Sequence, residues 1–196
     1  MFKKPFVSNQ EFGKIIPDLK INGKDAPYPV INDRAVRATA GLMLIIGLTA
    51  FFNAYYTENF IILRVVIITF FIDFLLKTFK GPQKSIFGFF GRKFVSNQNP
   101  EFVGAIQKRF AWSLGLFVST TMMILLFVFN FETNITLAVC AFCLSLMWLE
   151  SCMGICIGCY IYNKLIKIGF IKRPKFHPAC PGGICDTNDV EMIEMY

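Results

Sequence analysis

Residues 135–161 read ITLAVCAFCLSLMWLESCMGICIGCYI, an apolar run interrupted by one carboxylate, Glu150. A helix needs roughly 20 mostly apolar residues to cross the hydrocarbon of a bilayer. This run is longer than that, so its surplus should tilt or project into water. Three further runs have the same character: about Ala35 to Tyr56, Phe60 to Phe79 and Phe110 to Phe129. The pattern predicts an all-α integral membrane protein, a four-transmembrane-helix bundle. The composition agrees: 55% of the residues are hydrophobic and 23 are Phe, too apolar for an ordinary soluble domain of 196 residues.

The rest of the chain is organised around those spans. Residues 1–33 are polar, contain Pro5, Pro17, Pro27 and Pro29, and read as an N-terminal arm with little regular structure. Residues 34–163 form the membrane domain, and residues 164–196 a cysteine-containing tail. Asn32 or Asp33 can cap the first helix, and Gly81-Pro82 stops the second. Between the second and third spans, Ile86, Phe87, Phe89, Phe90 and Phe94 mix with Lys84, Arg92 and Lys93. That mixture predicts a short amphipathic helix lying at the membrane interface. The pentapeptide Phe-Val-Ser-Asn-Gln occurs at Phe6 to Gln10 and again at Phe94 to Gln98. Its flanks differ, so it is not read as a duplication.

Charge sets the orientation. Lys and Arg concentrate in the N-terminal stretch, in the link between the second and third spans, and after residue 163. The two remaining links, Thr57 to Asn59 and Asn130 to Asn134, carry only Glu58 and Glu132. The positive-inside rule then places both arms and the long link in the cytoplasm. The net charge of +7 is thus a topology signal. Nucleic acid is not expected as a partner, because no separate basic domain exists. Lys3 and Lys4 resemble the start of a secretory signal, but no apolar segment follows before Ala35, so none is expected.

Ionisable groups inside the spans are costly and mark either helix-holding pairs or a functional pathway. At a rise of about 1.5 Å per residue, Asp73 and Glu150 lie roughly 20 Å and 22 Å from the outer face. Arg34 and Arg37 begin the first helix at the inner face, and Lys108 and Arg109 begin the third there. In the structural reading, Asp73 and Glu150 pair with Arg37 and Arg109, or Asp73 pairs with Lys77 one turn on. In the functional reading, these groups line a polar pocket that moves protons, holds a cation or attracts an anion. Arg64 sits near the outer boundary and can snorkel outward.

Every cysteine lies after residue 139. Cys140 and Cys143 read as small apolar core residues. Cys156 and Cys159 form a C-x-x-C, the spacing of thiol–disulfide exchange. On a straight helix Cys152, Cys156 and Cys159 make one stripe, with Glu150 nearly opposite. Either Gly154 and Gly158 loosen the helix end or the acid and the thiols serve different faces. Cys180 and Cys185, with His177, could form a zinc site, although their C-x4-C spacing departs from common zinc motifs. His177 is the only histidine, which excludes bis-histidine haem ligation. Otherwise the cofactor is open.

Several of these residues fall into a known pattern. Asn32-Asp33-Arg34-Ala35-Val36-Arg37 precedes the first span. Asp73-Phe74, Gly81-Pro82 and Ser85 follow, and Lys108-Arg109-Phe110-Ala111 opens the third span. Leu149-Glu150 and Gly154-x-Cys156-x-Gly158-Cys159-x-x-Tyr162 close the fourth. From about Tyr28 to Asn163 the chain resembles the bacterial integral-membrane family catalogued as domain of unknown function 4395. The family's association with thioredoxin-like and rhodanese-like proteins implies thiol-redox or sulfur work at the inner membrane, with such a protein as partner.

The leading expectation is therefore an inner-membrane thiol-redox or sulfur-relay protein. Cys156 and Cys159 would exchange, Glu150 and Asp73 would handle protons, and Arg34, Arg37, Lys108 and Arg109 would balance charge or attract an anion. One alternative is a permease subunit for a small solute or sulfur anion, which would require a homo-oligomer because four helices are few for a solute path. Another is a structural accessory subunit of a larger membrane complex.

Overall fold

A computed structural model describes residues 13–21 and 24–171. Six α-helices dominate: α1 Asp33–Thr57, α2 Ile61–Phe79, α3 Ile86–Phe94, α4 Ala105–Met123, α5 Asn134–Trp148 and α6 Ile157–Lys167. A π-helical turn, Ile124–Val128, extends α4, and a second, Leu149–Met153, extends α5. α1 packs against α2, α3 and α5, while α4 packs against α2 and α6.

Three helical segments are long and apolar enough to cross a membrane: Asp33–Thr57, Ala105–Val128 and Asn134–Met153. This is the pattern of a membrane protein. α2 falls short of that pattern because 19 residues carry Arg64, Asp73 and Lys77. Ile45, Val65, Phe117, Ile135 and Phe142 are exposed on these helices, as lipid-facing residues would be. Between helices in lipid, association comes from close packing rather than from escape from water. The core accordingly interleaves Leu44, Ala50, Leu63, Ile67, Leu126 and Leu144 from α1, α2, α5 and the π turn after α4.

The segment before α1 is more regular than its composition predicts. β1 Lys20–Ile21 pairs with β2 Lys24–Asp25, and β3 Val30–Asn32 pairs antiparallel with β4 Phe102–Gly104. The prolines explain part of this. Pro27 and Pro29 bias Ala26 and Tyr28 away from helix and towards extended backbone, and the chain enters β3 already extended. The strand pair ties the starts of α1 and α4 together: the Asp33 N–H donates to the Glu101 carbonyl at 2.7 Å. Asn32 caps α1, its side chain accepting from the Arg34 N–H at 3.1 Å.

The link after α2 contains a helix, as the sequence predicts. α3 buries Phe87, Gly88 and Gly91 and exposes Ile86, Phe89, Phe90 and Phe94. Ser85 caps it, accepting from the Gly88 N–H at 2.8 Å.

The main departure from expectation is the end of the fourth apolar run. The helix does not continue to residue 161. Gly154 takes φ +71°, a left-handed conformation that favours glycine. The N–H groups of Gly154 and Ile155 both donate to the Leu149 carbonyl, closing the helix. Cys156 is extended, and α6 begins after it.

Candidate functional site

The break at Gly154 changes the position of the C-x-x-C. Cys156 becomes the N-cap of the 11-residue helix α6, and Cys159 falls in its first turn. The two sulfurs lie 2.9 Å apart, with Cys159 donating to Cys156. Both thiols are buried, Cys159 to 1% exposure and Cys156 to 8%. A helix N-terminus carries a partial positive charge, and Cys156 sits at that end of α6. The hydrogen bond to Cys156 and burial together push the Cys159 thiol well above its usual range, with the Lys108 charge acting in the opposite direction. Cys159 is thus the member of the pair held to its proton.

Packing fixes α6 against α4. A side chain on Gly158 would meet the Ala111 Cβ at 2.5 Å and its Cα at 2.7 Å, so only glycine permits this approach. One turn on, the Gln107 amide donates to the Asn163 side-chain oxygen at 3.2 Å in the buried seam.

Lys108 is the charged centre beside the thiols. It is fully buried, with its ammonium 2.8 Å from Glu150 and 2.9 Å from Asp33. It also lies within electrostatic range of Cys156 and Cys159. The start of α1, the first turn of α4 and the end of the fourth apolar run therefore meet at one ammonium group. Glu150 pairs with Lys108 rather than with Arg37 or Arg109. The reason lies in the boundary of α4: it begins at Ala105 rather than near residue 110, so Lys108 is already inside the helix and faces the seam. Asp33, read from sequence only as a helix cap, is an equal member of the triad.

The opposition of Glu150 and the thiols belongs to a straight helix, and of the two alternatives left by the sequence the structure takes the one in which the helix end is broken, at Gly154. The π turn at Leu149–Met153 offsets the spacing of a regular helix, and Gly154 then redirects the chain. Glu150 and Cys156 line the same cavity of about 320 Å³. Cys152, by contrast, is exposed. The predicted single stripe of three cysteines is divided between two surfaces.

The other predicted residues are placed elsewhere. Arg37 donates to the Ser151 and Cys152 carbonyls at 3.4 Å, satisfying free acceptors at a helix C-terminus. Its guanidinium also lies against Gly154. Arg34 is exposed and pairs with Glu101 at 3.7 Å. Arg109 is half-buried on the neighbouring position of α4. Asp73 is fully buried in a separate polar knot. It pairs with Lys77 at 2.6 Å and accepts from the Ser85 hydroxyl at 2.7 Å and the Phe87 N–H at 3.1 Å. These contacts dock α3 on α2. At the opposite end of α5, Arg64 pairs with Glu132 at 2.7 Å.

Cys180, Cys185 and His177 lie outside the described residues, as does the first Phe-Val-Ser-Asn-Gln. Among the described residues no cluster of three or more His, Cys, Asp or Glu is arranged to hold a metal.

No curated protein and no solved structure matches the chain. The resemblance seen in the sequence does hold: residues 31–167 match a family model, a stretch that contains β4, all six helices, the Asp33–Lys108–Glu150 triad and the C-x-x-C. The chain belongs to the family described as Domain of unknown function (DUF4395).

Proposed function

We propose that this chain is a thiol-redox or sulfur-relay protein of a bacterial inner membrane, with Cys156 and Cys159 as its exchanging pair. The observation that carries this reading is the pair itself: two free thiols 2.9 Å apart at the start of a helix, beside a buried ammonium. Thiol–disulfide exchange with a partner passes through a mixed disulfide at Cys156, which Cys159 resolves. Glu150 and Lys108 hold compensating charge next to the sulfurs. A thioredoxin-like or rhodanese-like protein is the natural partner class.

In this reading α2 is the fourth crossing. Its buried Asp73–Lys77 pair hides two of its three charges, and Arg64 reaches the outer boundary. Both termini lie in the cytoplasm, α3 rests at the inner interface, and α6 follows the last span there. The distribution of Lys and Arg supports this orientation.

The test is trapping in living cells. Cells expressing the full chain are quenched with acid before and after mild oxidation, and free thiols are alkylated. Cys156 and Cys159 should lose their labels together on oxidation. A pair that never changes state, combined with an intact sulfur phenotype in the Cys156→Ser, Cys159→Ser variant, would reject the proposal.

A further inference from the structure

The cavity of about 320 Å³ beside the thiols is bounded by α1, α2, α4, α5 and α6. Its walls include Ile67, Phe70, Val118 and Leu146. Glu150 is the one charged side chain among its described lining residues, and Cys156 is the member of the dithiol that reaches it. Ligand sites generally fall between roughly 300 and 1,000 Å³ and combine apolar walls with a few convergent polar groups. This cavity is at the small end of that range and has that composition.

Resting on the redox reading of Cys156 and Cys159, we infer that this cavity binds a membrane-soluble quinone, which is the electron acceptor for the dithiol. Two features select that class. The walls belong largely to helices of membrane character, so the ligand must partition into lipid. The polar end presents a sulfur that can give up electrons beside a carboxylate, so the ligand must accept electrons and protons. An acyl chain satisfies the first condition only, and a soluble disulfide satisfies the second only. A quinone ring with an apolar tail satisfies both.

The step balances. Forming the Cys156–Cys159 S–S bond breaks two S–H bonds and releases two electrons and two protons. The quinone takes up both electrons and both protons, and one quinol leaves for each disulfide formed. Glu150 stands where a proton can pass between Cys156 and a quinone oxygen. Lys108 lies within electrostatic range of both sulfurs and compensates negative charge that develops there during the step.

The experiment uses the full chain, reduced, in lipid nanodiscs, with decylubiquinone and menadione as probes. Quinone absorbance and free-thiol labelling are followed together. The expected result is one quinol per Cys156–Cys159 disulfide, with Cys156→Ser losing at least 100-fold in rate. Val118→Trp, which fills the cavity, should lose tenfold or more while its melting temperature stays near that of the parent. Should that variant fail to fold, saturation of the rate with quinone concentration and competition by a redox-inert quinone analogue provide the second measurement.

A dithiol that exchanges with glutathione but leaves both quinones oxidised overturns the quinone inference and leaves the redox reading intact. A pair that forms no disulfide with any oxidant overturns both. Oxidation that neither saturates nor responds to the analogue or to Val118→Trp shows collision without a site and rejects the inference.

Discussion

Replacing Lys108 by Met tests the charge balance of the site. The parent ammonium is fully buried and touches two carboxylates at 2.8 and 2.9 Å. At an effective dielectric constant of about 20, each contact is a gross attraction of roughly 6 kcal/mol. Desolvation of the ions offsets much of it, so the net value of the triad is small. The single substitution is different: it removes the attraction and leaves the buried Asp33 and the partly buried Glu150 uncompensated. The expected loss is about 3–5 kcal/mol, a large share of a typical total of about 5–15 kcal/mol. For a chain of this size that is a fall of roughly 6–20 °C in melting temperature. The assay is thermal unfolding in detergent, followed by tryptophan fluorescence. The triple variant Lys108→Met, Asp33→Asn, Glu150→Gln removes the unpaired charge and should regain most of the loss. A single variant that melts within 2 °C of the parent, or a triple variant no more stable than the single, would refute the reasoning.

Four further outcomes are expected. Gly154→Ala places a side chain in left-handed backbone, at about 1–2 kcal/mol, and crowds Arg37 at 3.2 Å. Differential scanning calorimetry should register that loss, and glutathione exchange at Cys156 should slow. Gly158→Leu drives α6 away from Ala111 and should cost about 1–3 kcal/mol in chemical denaturation, with faster iodoacetamide labelling of Cys159 as its sign. Asp73→Asn leaves the Lys77 ammonium without its buried partner, about 3–5 kcal/mol, and hydrogen exchange should rise in α3. Finally, Cys159 keeps its proton in the fold but loses it in the unfolded chain above about pH 8.5. The folded state then binds more protons, so stability falls as pH rises past that value. Melting curves from pH 7 to 10 should show the fall, and it should be smaller in Cys159→Ser.

The helices were legible because hydropathy over long windows is a strong signal, and Ile61–Phe79 was found almost to the residue. What hydropathy could not show was polar burial. Gln107 and Lys108 look like the edge of a span, yet both are fully buried at the start of α4. Their partners, Asn163, Glu150 and Asp33, lie far away in sequence. The pairing of β3 with β4 was hidden for the same reason: three residues on each side are too few for periodicity to register. The break after Met153 did have a signal. Gly154 and Gly158 stand out in an apolar run, but a glycine there is compatible with a continuous helix, with close packing or with a turn. Gly154 serves the turn and Gly158 the packing. That distinction moves the C-x-x-C from the end of a long helix to the start of a short one, where its chemistry is different.

The most direct measurement is a redox titration of the full chain in nanodiscs across glutathione buffers, read by intact mass after alkylation. Cys140, Cys143, Cys152, Cys180 and Cys185 are replaced by Ser for this purpose. A working dithiol predicts one two-electron transition, in which Cys156 and Cys159 lose their labels together with a tenfold change per roughly 30 mV. Independent labelling of the two sulfurs, or no transition at any poise, would contradict it.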